Sequence, residues 1–105
     1  WQRGEIDIIA EVPDDGQASG IPGELVFCEV KSRSYRLSEE PMLEAIPRAK
    51  RRKLALTAVR YCQEHRLTRH MRFDVIAVGR DRGGAIRLLS HLPNAFACDD
   101  LRLDF

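Results

Sequence analysis

Acidic residues are almost missing from one long stretch of this sequence. Between Arg48 and Arg72, nine basic residues (Arg48, Lys50, Arg51, Arg52, Lys53, Arg60, Arg66, Arg69 and Arg72) stand against one acid, Glu64. The formal net charge of +1 hides this bias, because acids such as Asp99, Asp100 and Asp104 lie elsewhere. A local excess of one sign points to an anionic partner better than the total charge does. Cysteine is also scarce. Cys28, Cys62 and Cys98 are odd in number and far apart, which excludes a disulfide framework and a metal knuckle and makes a reducing cytoplasm the expected home. No apolar run approaches the roughly 20 residues of a membrane span. No charged-then-apolar leader suggests a signal peptide. The chain opens at Trp1 rather than methionine, as expected if an upstream portion has been removed.

What remains is an ordinary globular composition, 44% apolar and 31% charged over 105 residues. That length suits one domain, residues 1–105, with one modest core. GEIDIIAEV (4–12) alternates and is β-branched, so it predicts a strand. The turn-rich loop at 14–23 joins it to an antiparallel partner, LVFCEVKS. Leu54, Ala58, Tyr61 and His65 form a helical stripe widened by Ala55, Val59 and Cys62, and Pro47 fits the first helical position. The segment 40–46 suits a short preceding turn. MRFDVIAVG (71–79) and AIRLLSHL (85–92) predict two more strands about a turn at 81–84. Strand, long helix, strand implies a crossover, with FDVIAV parallel to LVFCEV in a mixed sheet.

That arrangement gives meaning to two charges in LVFCEVKSR. Glu29 and Lys31 share one face near the end of an otherwise apolar strand. In the first strand Glu5 and Asp7 share a face, with Ile6 and Ile8 on the other, and the hairpin brings Asp7 beside Glu29. Adjacent carboxylates repel unless a cation lies between them. An oxygen-only ligand set suits Mg²⁺, and an ammonium beside it can hold a water or offset charge on an attacked phosphate. The bland alternative is a solvent-exposed ion pair, which is common on strand ends. The RAKRRK run carries a similar choice. Cations in a first helical turn oppose the macrodipole at up to about 1 kcal/mol each, a placement better suited to a phosphate backbone than to plain solvation. Arg33 and Arg36 follow the lysine closely enough to meet the same phosphates. His65, His70 and His91 match no zinc spacing and read as structural or exposed. Cys28 reads as a core residue, and Asp74 as a structural acid.

In order, GEIDIIA, LVFCEVKSR, PMLEAIPRAKRRKL, RFDVIAV and HLPNAF resemble the YraN-like family of uncharacterised bacterial proteins, over Arg3 to about Phe96. That family looks like a branch of the PD-(D/E)xK nuclease superfamily, which includes restriction enzymes and archaeal Holliday-junction resolvases. The resemblance implies a restriction-endonuclease-like α/β fold, a mixed β-sheet flanked by helices. It places the family's N-terminal helix and first strand ahead of residue 4, so the domain is expected to be N-terminally incomplete. It implies metal binding by Asp7, Glu29 and the Val30 main-chain carbonyl, with Glu5 as an outer ligand. Lys31 would be the catalytic lysine, and Lys50 a basic position facing the substrate. The loop 11–23 is longer than the tight hairpin common in the family.

The expected function is Mg²⁺- or Mn²⁺-dependent endonucleolytic hydrolysis of phosphodiester bonds in nucleic acid, DNA foremost. Asp7, Glu29 and Lys31 would be catalytic, and Arg33, Lys50, Arg51, Arg52 and Lys53 would bind the nucleic acid. The first alternative is a catalytically inactive nucleic-acid-binding module of the same fold. The second is a protein-interaction domain whose basic helix meets an acidic partner. A membrane partner is not expected, and a homodimer is the assembly to test, since many such nucleases cut two strands as dimers.

Overall fold

A computed structural model describes residues 6–13, 21–32 and 46–97. In chain order these form strand β1 (Ile8–Glu11), strand β2 (Leu25–Ser32), helix α1 (Arg48–Glu64), strand β3 (Met71–Arg80) and strand β4 (Ile86–Phe96). They build one four-stranded sheet in the order β1-β2-β3-β4. β1 and β2 are antiparallel, β2 and β3 parallel, and β3 and β4 antiparallel. The mixed sheet with its crossover helix is the one expected from sequence. Of the flanking helices expected, α1 is the helix seen among the described residues.

The core follows from strand alternation. Leu25 and Phe27 point to one face, where they meet Phe73, Phe96 and the helix residues Leu54, Ala55, Ala58 and Cys62. Phe73 stacks on Phe96 at 4.8 Å between ring centroids, and Tyr61 packs edge-on against Phe27 at 5.9 Å. Val26 and Cys28 point the other way, with Val12 and the half-buried Ile76. Ala55 and Ala58 are fully buried, so small side chains let α1 lie close to the sheet. Pro47 is the N-cap of α1, one residue before the first helical position, and no side chain caps that end. The helix stops at a Schellman motif. Arg66 takes a left-handed φ of 56° while Leu67 N–H reaches the Cys62 carbonyl at 2.8 Å.

Two strands differ in extent from expectation. β1 is shorter than the predicted 4–12, because the chain bends at Asp7. The bend also undoes the predicted pairing of Ile6 and Ile8 on one face. Ile6 is buried in the helix-side core, whereas Ile8 lies opposite Cys28 and is 44% exposed. β4 runs four residues past the predicted Leu92, through Pro93 to Phe96. Proline is tolerated on an edge strand, where its missing N–H breaks no ladder bond. Between the pairs Phe73–Phe96 and Val75–Leu92 the register shifts. There Asn94, at φ 51°, donates its N–H to Asp74 Oδ1 at 3.0 Å.

Candidate functional site

Glu29 and Lys31 continue the face that carries Leu25 and Phe27, so both lie on the helix side of the sheet. Glu29 is only 5% exposed. A carboxylate that deep must find partners, and two ammonium groups converge on its Oε1. Lys50 Nζ, from the first turn of α1, is 3.0 Å away, and Lys31 Nζ is 3.5 Å away. The parallel strands explain the meeting. β2 ends where α1 begins, so the basic first turn of the helix is returned to the carboxyl end of β2. The family resemblance implies a substrate-facing role for Lys50; in the structure its ammonium lies on Glu29. A register argument on the crossover could have found that contact, because the first helical turn lies over the end of the preceding strand.

Asp7 enters from the neighbouring strand. It sits one step beyond the last β1–β2 pair, Ile8–Cys28, which places it opposite Glu29. Its Oδ2 accepts the Val30 N–H at 2.8 Å, occupying the rung a longer β1 would have supplied with a carbonyl. The N–H and C=O of one strand residue project to the same neighbour. The Val30 carbonyl therefore points to the Asp7 side of β2 as well. Asp7 and Glu29 thus bring two carboxylates to adjacent strands, while no group of three or more His, Cys, Asp or Glu side chains placed to hold a metal ion is found among the described residues. Glu5 and Arg33 lie outside the described residues. Arg51 is half-buried and donates Nε to the Ile46 carbonyl at 2.9 Å, while Arg52 and Lys53 are exposed.

A second charged group occupies the other face of the sheet. Asp74 is 2% exposed and receives Arg72 through Nε at 2.9 Å and Nη2 at 3.0 Å. His91 Nε2 lies 2.8 Å from its Oδ2, and Glu24 lies 3.5 Å from Arg72 Nη1. Burial pushes the Asp74 carboxyl up, but the bonds from Arg72, Asn94 and His91 together outweigh it and hold the pKa below its usual value. Cys28, the β2 neighbour of Asp74, is pushed up by burial and then by that charge, as befits an inert core thiol. The expectation that Asp74 is structural holds. His91, read as structural or exposed, belongs to the same network, which the i, i+2 spacing of Arg72 and Asp74 on one strand face foreshadows. An open cavity of about 410 Å³, lined by Val59, Cys62, Leu67, Arg69, His70 and Met71 among others, lies at the far end of α1 from Glu29. Arg69 is tied to Glu11 at 2.8 Å, and nothing there converges as the groups around Glu29 do.

Among the described residues, a mixed sheet crossed by one helix, with a buried glutamate held by two lysines at the carboxyl end of its parallel strands, defines an α/β domain. The chain belongs to the uncharacterised protein family UPF0102, whose family model matches residues 1–78. It is 37% identical over 95 residues to a UPF0102 protein of Gloeobacter violaceus, covering 89% of this chain and 68% of that protein. A UPF0102 protein of Pelotomaculum thermopropionicum is 39% identical over 97 residues, with 89% and 70% covered. One from Beutenbergia cavernae is 41% identical over 86 residues, with 81% and 64% covered. These matches support the YraN-like resemblance of the motifs. No helix among the described residues is long and apolar enough to cross a membrane.

Proposed function

We propose that this chain is a metal-dependent nuclease domain of the PD-(D/E)xK kind, hydrolysing phosphodiester bonds in DNA. The observation that carries the reading is the buried Glu29 carboxylate with Lys31 and Lys50 at its Oε1, opposite the anchored Asp7. Asp7, Glu29 and the Val30 carbonyl would hold Mg²⁺ or Mn²⁺, with Glu5 as an outer ligand. A divalent ion held there would supply charge that polarises the scissile phosphate. Asp7 is fixed by the Val30 N–H, so it needs little reordering to act as a ligand. Lys31, half-buried at the mouth of the site, holds the attacking water or a phosphate oxygen through its ammonium hydrogens. Lys50 neutralises Glu29 and would give way to a cation bound there.

Lys31→Ala leaves Glu29 paired with Lys50, so the fold should survive the substitution. With Mg²⁺ or Mn²⁺ and linear or branched DNA, the parent chain is expected to cleave, and Lys31→Ala to lose at least 100-fold in rate with an unchanged circular dichroism spectrum. Absence of divalent-ion binding by calorimetry, together with no cleavage of DNA or RNA, rejects the proposal.

One observation favours a second reading, a nucleic-acid-binding module without catalysis. The Glu29 charge is already met by two ammonium groups, so the site is electrostatically closed without a metal. That reading requires binding that withstands both chelator and Lys31→Ala.

A further inference from the structure

The hairpin between β3 and β4 carries three arginines, Arg80, Arg82 and Arg87, against one acid, Asp81. It is braced rather than loose. Asp81 N–H donates to the Ala85 carbonyl at 2.9 Å, Gly84 N–H to the Asp81 carbonyl at 3.0 Å, and Arg80 Nη1 to the Gly84 carbonyl at 2.8 Å. Asp81 Oδ1 also accepts the N–H groups of Gly83 at 2.9 Å and Ala85 at 3.0 Å. Its Oδ2 takes Arg87 Nε at 2.9 Å. Arg87 is thus oriented through one of its five N–H groups, with its two terminal nitrogens left for a bidentate anion. Its side chain is 65% exposed.

The register puts this arm beside the candidate site. Lys31 pairs with Ala77 and Gly79 pairs with Arg87, so Arg87 shares the helix-side face with Glu29 and Lys31. Two strand spacings across and two residues along separate the backbones of Lys31 and Arg87 by about 12 Å. That is three to four base steps at roughly 3.4 Å each. The residues between them on that face, Ala77 and Gly79, are buried. The basic first turn of α1 lies at the same end of the sheet. Cations from α1 and from the hairpin therefore lie at the same end of the sheet as Glu29 and Lys31.

We propose that the β3–β4 hairpin is a second phosphate-binding arm, in which Arg87, set by Asp81, and Arg82 at the tip grip the backbone of the nucleic acid that meets the cations of α1. The inference rests on the nucleic-acid reading above. A braced arm binds without first being ordered, so its contacts add to affinity with little conformational loss.

The test is fluorescence-anisotropy titration of a labelled DNA duplex with the full chain, in Ca²⁺ or chelator, across 50 to 200 mM salt. Arg82→Gln, whose side chain takes no part in the bracing, and Arg87→Gln should each weaken binding several-fold. Together they should flatten the log-affinity against log-salt slope by roughly 1 to 2. Arg87→Lys should recover part of the loss. If the arginine variants bind with the parent's affinity and slope while Arg52→Gln/Lys53→Gln weakens binding, the arm is refuted and the nucleic-acid reading stands. If the parent binds neither DNA nor RNA at 50 mM salt, both fall. Displacement of the duplex by polyglutamate at concentrations well below those at which unlabelled duplex competes would assign the arm to an acidic protein and overturn the proposal.

Discussion

At the scale of single residues, Asp74 and Glu29 use burial differently. Both are at most 5% exposed. Asp74 is surrounded by partners that leave it no vacancy: a two-point contact from Arg72, the Asn94 N–H and the His91 ring. Replacing it by asparagine strips the charge from these partners and leaves the part-buried Arg72 poorly compensated, at a cost of about 2–4 kcal/mol. Urea denaturation of Asp74→Asn should show that loss, and a change under about 1 kcal/mol would contradict the network's structural role. The pH dependence has a definite sign. The folded-state pKa of Asp74 lies below the ordinary 3.8, so its stabilisation is fully present above that value and fades as pH falls through the lower, folded pKa. The Asp74→Asn variant should therefore lose less stability than the parent between pH 4 and 2. Glu29 instead meets two ammonium groups on one oxygen, an arrangement that a competing cation can rearrange.

Among the elements, α1 couples fold to site most directly. Its apolar stripe sets its depth against the sheet, and that depth brings Lys50 to Glu29. Its end carries strain, because Arg66 occupies the left-handed position that glycine takes without cost. Arg66→Gly should raise stability by about 0.5–1 kcal/mol, seen as a melting temperature higher by roughly 2–6 °C. Because Arg66 lies at the far end of the helix from Glu29, nucleic-acid binding should change little. A fall in melting temperature would show that the arginine side chain contributes more than its backbone costs. Much of this layout was legible in sequence. The apolar run of β2, the 3.6-residue stripe of α1 and the run FDVIAV fixed three elements and the parallel pairing, since each pattern has one period. The ends were not legible. The retreat of β1 to Ile8 depends on a side chain, Asp7, taking a backbone rung, and the extension of β4 past Pro93 depends on that strand lying at an edge. In the site, the shared face of Glu29 and Lys31 followed from alternation. The contact of Lys50 with Glu29 and the face shared by Arg87 follow from a register that spans three elements.

For the whole molecule, charge is polarised by topology. The parallel strands return α1 so that its basic first turn meets the carboxyl ends of β2 and β3, and the β3–β4 hairpin adds arginines at the same end. Nine cations and one acid between Arg48 and Arg72 repel one another in the free protein. Ion pairs such as Lys50–Glu29, Arg69–Glu11 and Arg72–Asp74 offset part of this. Salt should then act on folding and on binding in opposite directions. Screening lengths shrink from about 10 Å at 0.1 M to about 3 Å at 1 M. Repulsion spread over an exposed surface is screened sooner than the buried pairs around Asp74, so the melting temperature should hold or rise by a few degrees between 50 and 500 mM NaCl. Over the same tenfold range, a complex neutralising about four phosphates should lose 10³- to 10⁴-fold in affinity, with a slope near −3.6. Parallel scanning calorimetry and anisotropy titrations read both quantities on one sample. A melting temperature that falls steeply with salt would mean that the ion pairs outweigh the repulsion. An affinity indifferent to salt would mean that these cations do not meet phosphates.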